Sequence, residues 1–148
     1  MSTCDIVHLP WIHANLYLGS MDAANNPACT GNMNIVCVAN GNTCNNCAGD
    51  ACTGVIQAND VPMDRNTFDT FTRPASEALD TSLSKGPTLV HCYAGINRSS
   101  ASIARYAIEK QHKSPAKTIE YLRHSNESMR GRPALTNPTF VYHIMNMN

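Results

Sequence analysis

The stretch that most constrains this chain runs from Thr88 to Ser100, TLVHCYAGINRSS. Gly86-Pro87 breaks the chain before it, and TLVHC is then a short, mostly apolar run of the kind that forms a buried central strand. From Arg98 onward, Ala101, Ile103, Ala104, Ala107 and Ile108 recur at helical spacing and predict an amphipathic helix of about three turns. A buried strand that feeds a helix through so short a connection requires a sheet with helices packed on it. The expected class is α/β, with a small mixed sheet of about five strands and helices on both faces.

The connection also carries chemistry. A loop between a strand end and a helix start can turn its successive backbone N–H groups inward, and the positive end of the helix dipole reinforces the resulting anion site. Gly95 permits the tight backbone that such a cradle needs. Arg98 offers a planar fork that grips two phosphate oxygens at once. Cys92 lies at the base, where the same donors stabilise a thiolate and bring its pKa from about 8.5 into the ~3.5–7.5 range. An ionised sulfur in line with a bound phosphorus is a nucleophile for phosphoryl transfer.

Elsewhere, Ile6–Trp11 and Asn15–Leu18 suit short strands, as do Asn34–Ala39, closed by Asn40-Gly41, and Thr53–Ala58. Between the last two, residues 41–54 are polar and rich in Cys and Asn and read as a loop. Asn59–Asn66 is a second loop. Phe68, Phe71, Ala75, Ala78, Leu79 and Leu83 have helical spacing, with the regular helix expected to begin near Pro74 and Asp69 expected to face solvent. Ser114-Pro115 and Asn137-Pro138 each read as an N-cap followed by proline at the first helical position. No linker divides the 148 residues, so one domain over 1–148 is expected.

Eleven Lys+Arg balance eleven Asp+Glu. A neutral chain advertises neither a nucleic acid nor an anionic membrane as partner. The N-terminus has no cationic start and no long apolar run, so no secretory signal is read there. The expected location is cytoplasmic, with the nucleus also open. Seven cysteines cannot all pair within one chain, and a reducing compartment makes structural disulfides improbable. Cys44 and Cys47, with Cys52, suggest a zinc site, but no second pair follows to complete four ligands. The expectation is a polar loop with incidental thiols and no metal or other cofactor.

His-Cys-x5-Arg-Ser, written here as HCYAGINRS, resembles the signature of the cysteine-based protein tyrosine phosphatase superfamily. The length and the flanking segments NLYLGS, NIVCVAN and RPALTNPTF are similar to the small dual-specificity protein phosphatases. That resemblance implies a phosphotyrosine-phosphatase-like fold. It also implies hydrolysis of phosphotyrosine and phosphoserine or phosphothreonine through a cysteinyl-phosphate. Cys92 would be the nucleophile, and Arg98 with the backbone of Tyr93, Ala94, Gly95, Ile96 and Asn97 would bind the phosphate. Ser99 would ease departure of the sulfur. His91 would hold the loop backbone, and Asn137 would either brace the loop or cap the last helix.

The family places an acidic residue about thirty residues before the nucleophile. Asp60, 32 residues before Cys92, fits that place, and Asp64 on the same loop is the rival. Cys37 ends a strand expected beside the catalytic one and is a candidate redox partner for Cys92. A phosphoprotein is the expected substrate, and a monomer or weak dimer the expected state. Two alternatives stand: an RNA 5′-triphosphatase, whose loop shares Gly95-Ile96-Asn97-Arg98, and a phosphate-binding pseudophosphatase scaffold.

Overall fold

The computed structural model describes residues 4–39 and 52–147. Among these, the alternating apolar segments form one sheet of five strands: β1 (Ile6–His8), β2 (Leu16–Gly19), β3 (Asn34–Ala39), β4 (Cys52–Gln57) and β5 (Thr88–His91). Their order is β1-β2-β5-β3-β4. β1 runs antiparallel to β2, and the other pairings are parallel. β5 is therefore the middle strand, buried at all four positions. Its C-terminal end is where ligands bind in sheets of this kind.

The strand period of two sorts side chains between two cores. Leu16, Leu18, Val36, Val38 and Val90 face the larger one, together with Phe68, Leu79, Ile103, Leu122 and Phe140 from the helices. Those helices are α3 (Arg65–Leu83), α4 (Arg98–Gln111), α5 (Pro115–Arg130) and α6 (Pro138–Met145). Tyr17, Ile35 and Leu89 face the smaller core, which also takes Ala24. Ala24 belongs to α1 (Met21–Ala24), a single turn followed by a second, α2 (Pro27–Thr30). Helices thus lie on both faces, unequally. None of the described helices is long and apolar enough to cross a membrane.

Four expectations need correction. The first strand stops at His8, because Ile12 and His13 donate back to the Leu9 carbonyl and turn the chain. α3 starts at Arg65, not near Pro74: Asp64 caps it by accepting from the Thr67 amide, and the proline sits inside. Pro74 is solvent-exposed, as is Thr70, whose carbonyl loses its helical partner to the proline. Burial of Phe68, Phe71, Thr72 and Ala75 holds the helix through the break.

Asp69 is not a solvated residue. It pairs with Arg65 (3.0 Å) and with Arg105 from α4, whose side chain is 4% exposed. The cysteines are also not all thiols. Cys4 and Cys29 form a disulfide, with Cα atoms 5.6 Å apart, that ties the residues leading into β1 to α2. Cys44 and Cys47 lie outside the described residues, and Cys52 opens β4.

Candidate active site

β5 delivers Cys92 into a tight loop that ends at the first residue of α4. The partners of the loop carbonyls determine which way its backbone faces. The Cys92 carbonyl accepts from His91 Nδ1 (3.1 Å). Tyr93 O accepts from the Met21 amide (2.9 Å), and Ile96 O from the Leu135 amide (2.8 Å). Ala94 O and Gly95 O are both taken by the Arg130 guanidinium, at 2.5 and 2.7 Å, and Arg132 adds a 3.2 Å bond to Ala94 O. With five successive carbonyls engaged by the surrounding protein, the intervening N–H groups are left for the concave side. An anion cradle would need that orientation.

The geometry leaves little slack. Gly95 has φ +70°, and a Cβ there would collide with the Gly19 carbonyl and come within 2.7 Å of Arg130 Nη1. Leu135, fully buried, also adopts a positive φ (57°), a strained state for a branched side chain, and it is the residue whose amide holds Ile96.

Cys92 is 2% exposed. Burial alone would push its thiol up. The Ser99 hydroxyl, the Ser99 backbone, the Arg98 charge and the Gly95 backbone together outweigh burial and hold it below the ordinary thiol value. Ser99 Oγ stands 3.2 Å from the sulfur. Arg98 is anchored by donation from Nη1 to the Ala58 carbonyl (3.0 Å), which ties α4 to the residue before the acidic loop. The Tyr93 ring is among the exposed large apolar groups.

The two acidic candidates separate cleanly. Asp64 is spent on the cap of α3. Asp60 is joined to the phosphate loop: Asn97 Nδ2 donates to its Oδ2 and Asn137 Nδ2 to its Oδ1, each at 2.9 Å. The cap reading of Asn137 holds, since its Oδ1 accepts from the Thr139 and Phe140 amides at the start of α6, while its Nδ2 donates to Asp60 Oδ1 and the Val61 carbonyl and so reaches the acidic loop. Cys37 pairs in register with His91, next to the nucleophile, and is a buried thiol.

Arg130 is the residue that the sequence does not announce. It closes α5, where a cation reads as a helix-dipole partner. Its side chain is 1% exposed, bonded to Asp5 through Nε (2.6 Å) and Nη2 (2.9 Å). No local pattern marks a bond across 125 positions.

Comparison with known proteins bears on family and fold. The family described as dual specificity phosphatase, catalytic domain, matches residues 16–146. The dual specificity protein phosphatase OPG106 of monkeypox virus is 42% identical over 60 residues, which cover 40% of this chain and 34% of that protein. The aligned part therefore spans about a third of the length of the curated relative. Among solved structures, human DUSP28 superposes with a TM-score of 0.73 at 22% identity, covering 97% of this chain and 92% of that one. The tyrosine phosphatase OH1 from the Orf virus gives 0.64 at 23% identity, covering 92% and 83%.

Proposed function

The chain belongs to the dual specificity phosphatase catalytic-domain family, and from that premise we propose that it hydrolyses phosphotyrosine and phosphoserine or phosphothreonine in proteins. Cys92 Sγ attacks phosphorus, the S–P bond forms, and the ester P–O bond breaks. Arg98 and the inward N–H groups take the charge on the equatorial oxygens. Asp60 gives its proton to the departing side-chain oxygen. In the second step Asp60, now a carboxylate, accepts a proton from water as the water attacks the cysteinyl-phosphate. The sulfur leaves as a thiolate, eased by the Ser99 hydroxyl.

The observation that carries this reading is the outward engagement of all five carbonyls from Cys92 to Ile96. A loop so held is preorganised for an anion and spends nothing on rearrangement when one arrives. A thiolate nucleophile must be kept reduced, and we propose the cytoplasm as the location on that ground; the Cys4–Cys29 bridge would there face reduction.

The test is turnover of 4-nitrophenyl phosphate and of phosphotyrosyl and phosphothreonyl peptides by the wild type and by Cys92→Ser. Release of phosphate from both peptide classes, abolished in the variant, is expected. Equal rates for the two proteins would reject the enzyme.

A further inference from the structure

Asn97 occupies the N-cap position of α4, where an asparagine ordinarily turns its side-chain oxygen back to bond an amide of its own helix. Here it makes no such bond. Its side chain is 8% exposed and reaches out to residues 37 to 40 positions away. Oδ1 accepts from the Asn137 amide at 2.9 Å. A backbone N–H can only donate, so that bond fixes which end of the side chain is oxygen. The Nδ2 end must then face Asp60 Oδ2 at 2.9 Å and Thr136 Oγ1 at 3.1 Å.

Asn137 is oriented by the same logic. Its Oδ1 is claimed by two amides of α6, which turns its Nδ2 to Asp60 Oδ1. Two buried amides, each oriented by backbone donors, thus present two N–H groups to the two oxygens of one exposed carboxylate. Asn97 forgoes the capping of its own helix, and what it gains is Asp60.

We propose that Asn97 is a positioning residue for leaving-group protonation: it carries Asp60 on the phosphate loop itself, so that acid and nucleophile belong to one rigid unit. The proposal rests on the reading of Asp60 as the acid. Asn97 touches neither the phosphoryl group nor the leaving oxygen through its side chain. It acts only by directing Asp60, which transfers the proton to the leaving oxygen as the P–O bond breaks.

A positioning role for the acid predicts a loss that depends on the leaving group. Phenyl phosphate, whose phenolate leaves poorly, needs the proton, whereas 4-nitrophenyl phosphate needs it much less. Correct protonation contributes ~10²–10⁴-fold. For Asn97→Ala, kcat on phenyl phosphate falls at least about 10-fold more than kcat on 4-nitrophenyl phosphate does. The double variant Asp60→Ala/Asn97→Ala is no slower than Asp60→Ala, because the latch has nothing left to hold.

Asn97→Asp is the second variant. It keeps an acceptor for the Asn137 amide, removes the donor toward Asp60, and shows the same selective loss at neutral pH. Vanadate inhibition, which reads the phosphate cradle, weakens less in Asn97→Ala than turnover of phenyl phosphate does. Equal losses on the two esters, additive losses in the double variant, or loss of vanadate affinity in step with turnover would each overturn the proposal. If Asp60→Ala hydrolyses phenyl phosphate at the wild-type rate, the acid itself is misassigned. If Asp60→Ala is selective and Asn97→Ala is not, only the latch falls.

Discussion

The Arg130 guanidinium lies against the Asp5 carboxylate with two bonds of 2.6 and 2.9 Å, and its remaining donors hold the carbonyls of Ala94 and Gly95 and the Asn126 side-chain oxygen. A residue at the entry of the edge strand therefore steadies the loop beyond the central strand, through an arginine contributed by α5. Asp5 is held far below the usual carboxylate range, chiefly by the Arg130 hydrogen bonds, against the opposing effect of burial.

Arg130→Lys keeps the charge and loses the fork, so it cannot reach Asp5 and both carbonyls together. We expect kcat to fall by on the order of 10²-fold, as a loop misplaced by about 1 Å requires. Asp5→Asn should fall in the same direction by less, since a neutral amide still accepts from Arg130. The measurement is turnover of 4-nitrophenyl phosphate beside a thermal melt. A variant with full activity and a lowered melting temperature would show that the pair serves only folding.

Acid should weaken the fold in two stages. Burial holds His91 below the ordinary histidine value, with its bond to the Cys92 carbonyl opposing. The unfolded chain then binds a proton near pH ~6.5 that the native state refuses, so stability is lost as pH falls below that point. Asp5 follows the same sign from a different origin. Its depressed native value gives stability that is full above the unfolded carboxylate pKa of about 3.9 and is lost as pH falls further. The melting temperature should decline below about pH 6.5 and drop again below about pH 4. Asp5→Asn should remove part of the second decline and leave the first. A melting temperature that rises between pH 6.5 and 5 would contradict the assignment for His91, in the same pH range.

Asp69 offers the contrast of a partly buried carboxylate that pairs α3 with α4. Burial raises its pKa, but the Arg105 and Arg65 partners lower it by more, with a net fall. Asp69→Ala leaves the buried Arg105 with Glu109 as its remaining acidic partner. Breaking such a pair costs about 3 kcal/mol, which at roughly 2–4 °C per kcal/mol is a fall in melting temperature of about 10 °C. The kcat value should not change. A loss of activity without a loss of stability would show that α3 and α4 transmit to the loop.

What the sequence made legible was local. The strand-loop-helix around Cys92 was read in place because its apolar run, glycine and helical period lie within about a dozen residues. The caps at Ser114 and Asn137 were read because each signal is a dipeptide, and the structure supports both. Asn26-Pro27 carries the same signal at α2 and went unread in a polar stretch. The misreadings were long-range. Pro74 is a local stop signal overruled by burial of the α3 face. Asp69 resembles any surface acid until Arg105 arrives from another helix. An odd number of cysteines forbids complete pairing but says nothing of whether two of them, 25 positions apart, meet.

The Cys4–Cys29 bridge also sets two sulfur chemistries against each other in one molecule. One end of it adjoins Asp5, and through Arg130 it bears on the cradle. The nucleophile works only as a thiolate, while the bridge exists only with its two sulfurs oxidised. A strong dithiol that rescues Cys92 from peroxide also unclips the N-terminal edge, and an oxidant that mends the clip threatens the nucleophile. Catalytic output should therefore peak at an intermediate redox poise, with the most reducing buffer giving less than the best rate.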